Sequence, residues 1–210
     1  LKQIGLFGGS FDPPHLGHLA LVQAGLDSGL DEVWVIPAYP VHRELSGLAD
    51  GGVRLMWLEK IFAGHSRVKV LDWEVSQQQP TPAVDTLRRF SAEYPGITPW
   101  LMLGADAWAG FESWREYPAH RLLCNVAVFA RQGIDKQAVL SHSGWQKMDP
   151  EQLSECDKPG HWCFVELELP DISATLIREY AAQGRSLADL VPAAVCADIE
   201  KNYTVMKENM

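Results

Sequence analysis

The chain has 210 residues, 47% hydrophobic and 21% charged, which is enough apolar material for one sizeable core and too little polarity for a disordered chain. Its formal net charge of −9 argues against a generic nucleic-acid binder, because such binding rests on phosphate neutralisation by Lys and Arg. A small anionic ligand stays open, since a few local cations and backbone N–H groups can hold phosphate inside an acidic protein.

The opening residues, Leu1 to Phe7, read as the start of a strand and not as a secretory leader. No apolar run reaches the roughly 18 residues of a membrane helix. The cysteines Cys124, Cys156, Cys163 and Cys196 form no C-x-x-C pair, so free thiols in the cytoplasm are expected. Cys156, His161 and Cys163 fit no standard zinc spacing, and no metal site is expected there.

In chain order, residues 3–8 (QIGLFG) predict a buried strand ending in glycines, and residues 17–29 an apolar-faced helix closed by Gly29. Residues 32–36 (EVWVI) predict a second strand stopped by Pro37, followed by a loop long enough to be functional. A helix is expected over 53–63. A strand is expected over 67–71, with an extension toward Val75. Thr81 before Pro82 marks a helix start with Pro82 in the first helical position, running to about Tyr94. Residues 99–103 and 124–130 read as buried strands flanking an aromatic-rich helical region, 105–120. Residues 131–160 read as irregular. Residues 163–168 give a last strand, Ser173 caps a helix to about Gln183 before Gly184, and Pro192 opens a final helix.

Strands alternating with helices predict an α/β fold with a mainly parallel sheet and helices on both faces. Neither an internal repeat nor a domain boundary is visible. A single domain is expected, with the helical part from about 173 to 205 packed against it. In such sheets ligands bind beyond the carboxyl ends of the strands, where the strand order reverses. Chemistry is therefore expected at 8–18, 37–43, 104–114 and 170–178.

The strongest signal is Gly8-Gly9-Ser10-Phe11-Asp12-Pro13-Pro14-His15-Leu16-Gly17-His18, between the first strand and the first helix. Gly8, Gly9 and Gly17 predict close approach of backbone to a ligand. His15 and His18, three apart at a positive helix end, can donate to phosphate oxygens, more strongly if protonated. The stretch is neither a Walker A loop nor a G-x-G-x-x-G fingerprint. At the other end, Ile172-Ser173-Ala174-Thr175-Leu176-Ile177-Arg178 puts two hydroxyls at a helix N-terminus and a guanidinium one turn on, which suits the same anion. Gly104-Ala105-Asp106 follows a buried strand. There Asp106 reads equally as a ribose ligand or as a helix cap.

The first motif resembles the H-x-G-H signature of the nucleotidyltransferase superfamily. The full stretch GGSFDPPHLGH looks like the opening of bacterial nicotinate mononucleotide adenylyltransferases. Residues 172–178 are similar to that family's I-S-[SA]-T-x-[IL]-R, and Gly104–Asp106 to its G-x-D. The resemblance runs from Ile4 to about Tyr203 and is weakest over 131–160. It implies a Rossmann-like, doubly wound nucleotidyltransferase fold and transfer of AMP from ATP to nicotinate mononucleotide, with Mg²⁺ carried by ATP and no nucleic acid or membrane partner. It makes His15, His18 and Arg178 catalytic. It assigns Gly8, Gly9, Ser10, His42, Arg43, Ser173 and Thr175 to ATP, and Asp106, Trp114 and Thr86 to the ribose and pyridine.

Two departures are visible. Pro37-Ala38-Tyr39-Pro40-Val41-His42 is one residue shorter than the family's loop. Pro80-Thr81-Pro82-Ala83-Val84-Asp85-Thr86-Leu87 lacks the aromatic and one hydroxyl of P-S-Y-T-x-D-T-L. Both touch the acceptor side and leave the AMP-transfer motifs intact, so nicotinamide mononucleotide and phosphopantetheine stay open as acceptors. A non-catalytic nucleotide-binding module is the alternative of another class, and assembly into a homo-oligomer also stays open.

Overall fold

The computed structural model describes residues 2–39, 48–131, 141–168 and 170–208. The strands are β1 (Ile4–Gly9), β2 (Glu32–Pro37), β3 (Val68–Val70), β4 (Trp100–Gly104), β5 (Asn125–Arg131), β6 (Gln146–Lys147) and β7 (His161–Leu167). The helices are α1 (Leu16–Asp27), α2 (Gly51–Ile61), α3 (Ala83–Glu93), α4 (Ala105–Ala109), α5 (Tyr117–Leu123), α6 (Ala174–Ala182) and α7 (Cys196–Glu208). The described strands form one seven-stranded sheet in the order β3-β2-β1-β4-β5-β7-β6, and every pairing is parallel.

Period-two alternation sorts the strand side chains onto two faces. Leu6, Trp34, Ile36, Leu101, Leu103, Val126 and Val128 pack with Leu87 and Phe90 of α3, Trp108 of α4 and Phe111. Val33, Val35, Trp100, Met102, Ala127 and Phe129 pack with Val22 and Leu26 of α1 and Leu58 of α2. Because both faces are covered, the strands read as near-continuous apolar runs, as parallel strands do. A third, smaller core joins α2 to α6 and α7 through Trp57, Ile177, Ala181 and Ile199, so the C-terminal helices sit on the first half of the chain.

Strand β1 pairs with β2 on one side and β4 on the other. The order reverses there, and the crevice beyond Gly9 and Gly104 is the switch point of the sheet.

Four expectations need correction. The stretch after β3 does not extend it: Val75–Gln77 is a 3₁₀ turn, because the chain leaves the sheet edge to reach α3. Pro82 is the residue flanking α3, extended at φ −62° and ψ 144°, and not its first helical residue. The final helix is α7, and Ala193–Val195 before it form a 3₁₀ turn. The span 131–160 is not wholly irregular. It contributes β6, and Pro150–Glu155 form a 3₁₀ turn that buries Leu153.

Candidate active site

The loop leaving β1 is shaped by its own aromatic. Phe11 sits at φ +46°, in the left-handed region, with its ring buried edge-on against Phe7 and His18 at 5.3 and 4.8 Å. A Cβ on Gly9 would lie 3.2 Å from that ring, whereas a Cβ on Gly8 would project into open space. Gly8 is thus the position where bare backbone borders open space, and Gly9 makes room for Phe11.

His15, extended at φ −145°, forms the cap of α1. Its ring stacks on that of His18 at 3.7 Å and 26°. The His15 backbone N–H donates to His18 Nδ1 at 3.1 Å. This fixes the tautomer of neutral His18, whose proton must then reside on Nε2, free to donate elsewhere. The expected close approach of a ligand at Gly17 has another cause: a Cβ there would lie 3.0 Å from His15 Nδ1, so the glycine admits the imidazole. Burial pushes His15 down to about 4. Burial and the neighbouring His15 hold His18 well below its ordinary value. Both rings are therefore neutral donors near pH 7 in the free protein, not the imidazolium ions the sequence left open.

The second motif meets this loop. Ser173 caps α6, its Oγ accepting from the Leu176 N–H at 3.2 Å, as expected. Arg178 Nη2 donates to Thr175 Oγ1 at 3.2 Å. Its Nη1 donates to the Asp12 carbonyl oxygen at 2.6 Å and lies 3.5 Å from Asp12 Oδ2. The Leu16 N–H, in the first turn of α1, donates to the Leu190 carbonyl at 3.0 Å. Segments some 160 positions apart thus share one loop.

Three residues that sequence reasoning gave no role hold it. Asp12 is fully buried, with Oδ1 accepting from the Ala49 N–H at 2.9 Å and from the Tyr203 hydroxyl at 2.6 Å. Arg54, buried in α2, donates through Nε to the Ala49 carbonyl and through Nη1 to the carbonyls of Ser10 and Ala38, tying the ends of β1 and β2 together. Asp12 lay inside the quoted motif. Nothing local marked Arg54 or Tyr203, which reach partners as far as 44 and 191 positions away.

Beside the loop lies a cavity of about 670 Å³ bordered by Gly8, Gly9, Glu74, Thr86, Trp114 and Arg115. Trp114 forms part of the wall, its ring edge-on to Phe111 at 5.0 Å. Thr86 is there too, but its hydroxyl donates to the buried Glu74 at 2.6 Å. Asp106 is exposed on the first turn of α4, beyond the end of β4, and is not part of the cavity wall. His42 and Arg43 lie outside the described residues. Cys156 Sγ accepts from Asn125 Nδ2, and Cys163 is packed in the core on β7. Among the described residues, all four thiols are free and no group of three or more His, Cys, Asp or Glu side chains is placed to hold a metal ion.

A parallel sheet with this strand order, a glycine-edged crevice at its switch point and an imidazole–guanidinium loop define a nucleotidyltransferase of the Rossmann-like class. The cytidylyltransferase-like family model matches residues 6–180. A protein of Shouchella clausii described as "probable nicotinate-nucleotide adenylyltransferase" is 33% identical over 204 residues, covering 96% of this chain and 95% of its own. One of Chromobacterium violaceum with the same description is 34% identical over 205 residues, covering 95% and 96%. The Plasmodium falciparum nicotinic acid mononucleotide adenylyltransferase complexed with NaAD superposes with a TM-score of 0.73 at 18% identity, covering 99% of this chain and 98% of its own, a likeness of fold. The chain belongs to the cytidylyltransferase-like family, on its nicotinate-nucleotide adenylyltransferase branch.

Proposed function

We propose that this protein transfers AMP from ATP to nicotinate mononucleotide, giving nicotinate adenine dinucleotide and pyrophosphate. The observation that carries the reading is the hydrogen bond from Arg178 to Asp12, which brings the C-terminal phosphate motif onto the loop of His15 and His18. The chemistry is in-line displacement: the acceptor's 5′-phosphate oxygen attacks the α-phosphorus of ATP as the bond to the pyrophosphate oxygen breaks. Phosphate is already a competent nucleophile near neutral pH, so positioning and charge stabilisation suffice.

In this reading the neutral His18 donates from Nε2, and Arg178 from its fork, to the oxygens of the leaving pyrophosphate. His15 supports His18 by stacking. The backbone around Gly8 and Gly9, with Ser10, Ser173 and Thr175, orients phosphate oxygens. His42 and Arg43 would close over the triphosphate from the loop after β2. Trp114 stacks on the pyridine, and Asp106 takes ribose hydroxyls at the crevice edge. Asp12 is already engaged by Ala49, Tyr203 and Arg178, so the loop offers imidazole, guanidinium and N–H donors. Such a set suits a triphosphate that brings Mg²⁺ on its own oxygens, where the ion would further neutralise the departing pyrophosphate.

Pyrophosphate release measured with ATP and each acceptor in turn tests this. Nicotinate mononucleotide is expected to give the highest kcat/KM. Higher kcat/KM with nicotinamide mononucleotide or phosphopantetheine would move the assignment to that acceptor, and ATP binding without any turnover would favour a non-catalytic module.

A further inference from the structure

The cavity contains an acid that phosphoryl transfer does not use. Glu74 lies after β3 and Thr86 on α3, and they are 6% and 7% exposed. Both border the cavity, and among the described residues the Thr86 hydroxyl is the hydrogen-bond partner of the Glu74 carboxyl, at 2.6 Å. A threonine hydroxyl has a single proton, and a carboxyl group has one or none. When Glu74 is ionised, the Thr86 proton must point to it, and the cavity meets lone pairs beside a negative charge. When Glu74 is protonated, it donates to Thr86 Oγ1, and the threonine's own proton is free to turn toward the cavity.

Building on the acceptor reading above, we propose that the Glu74–Thr86 pair selects the substituent on the pyridine ring. Its protonated form gives a donor to a carboxylate, and its ionised form repels the carboxylate and accepts from an amide. Burial pushes Glu74 up to about 7, so both forms are populated near neutrality. Several other charged or titratable groups lie nearby. Arg54 on α2 is engaged by the carbonyls of Ser10 and Ala38, and Arg89 on α3 lies over the Trp73 ring at 4.5 Å. Arg88 on α3 pairs with Asp85 and with Glu116. The two remaining titratable groups on the cavity wall are Arg115, 3.8 Å from Glu116, and His120, which burial keeps neutral. Asp72, two residues before Glu74 in sequence, lies on the same connection.

Calorimetric titration with nicotinate mononucleotide and nicotinamide mononucleotide, from pH 6 to 9 and in two buffers of different ionisation enthalpy, tests the pair without depending on turnover. The two nucleotides share the same 5′-phosphate, so the amide corrects for its titration. The acid is expected to weaken by about tenfold per pH unit above roughly pH 8, as the competent fraction falls, with close to one proton taken up per molecule bound. The amide is expected to lack that slope. Glu74→Gln, which keeps a permanent donor to Thr86, should abolish the proton uptake and flatten the profile for the acid. Thr86→Val should cost the acid about tenfold at pH 6 and leave the amide within about twofold. Binding of the acid without proton uptake in the wild-type protein, or an unchanged slope in Glu74→Gln, would overturn the proposal alone. Failure of both nucleotides to bind would overturn the acceptor reading and this proposal with it.

Discussion

His18 illustrates how a motif becomes chemistry. The backbone N–H of His15 occupies its Nδ1, so the proton of the neutral ring sits on Nε2. Replacing it with alanine should lower turnover at least tenfold, about 1.4 kcal/mol of transition-state stabilisation or more. The melting temperature should stay within a few degrees of wild type, because the ring is not a core hydrophobe. Steady-state rates beside a thermal melt check both halves, and near wild-type turnover would remove His18 from this role. The two histidines and the glycines were legible because their spacing sits in one short stretch. The reason for Gly17 was not. It depends on where the His15 ring lies, and that follows from stacking across a helix turn.

Helix α7 reaches back across the molecule to hold the first loop. The Tyr203 hydroxyl is one of two donors to Asp12 Oδ1, and the ring packs with Trp57 at 6.2 Å. Tyr203→Phe keeps the packing and leaves a buried carboxylate oxygen with one donor fewer, a loss of about 1 to 3 kcal/mol. Denaturant unfolding reads this as a lower midpoint with an unchanged slope. A change under half a kcal/mol would mean that the hydroxyl contributes nothing to the loop. Long elements with a clear apolar pattern were readable from the sequence: β1, β2, β4, β5, β7, α1 and α6 lie within a few residues of expectation. Short ones were not. Strand β6 has two residues and no period to detect, and the turn at Val75–Gln77 carries the β-branched residue that suggested more strand.

At the scale of the whole molecule, the buried groups His15 and Glu74 pull stability in opposite directions. His15 sits at about 4 in the folded protein against an ordinary 6.5. Between those values the unfolded chain binds a proton that the folded one refuses, so stability falls as pH drops through that window, by up to about 3 kcal/mol. Glu74 sits at about 7 against 4.5. The folded protein keeps its proton where the unfolded chain has lost it, so the stability this gives is complete below about 4.5 and is lost as pH rises through 7. Glu74→Gln should therefore melt higher than wild type at pH 8, by the equivalent of roughly 2 to 3 kcal/mol, and the difference should shrink toward pH 4.5. Melting curves of both proteins from pH 4.5 to 8 would show it, and a difference independent of pH would contradict the assignment. The parallel sheet and the side of the crevice followed from alternating strands and helices alone, whereas the strand order did not. The acid in the cavity wall could not be read that way, because Glu74 meets Thr86 only after the chain has turned off the sheet edge.

The central claim is that two ends of the chain make one anion-binding site at the switch point of the sheet. A crystal structure with a non-hydrolysable ATP analogue tests it most directly. The account predicts triphosphate oxygens within hydrogen-bond distance of both His18 Nε2 and the Arg178 guanidinium, with the α-phosphorus facing the cavity beside Trp114. An analogue bound elsewhere, with His18 uncontacted and Arg178 still bonded only to Asp12 and Thr175, would contradict it.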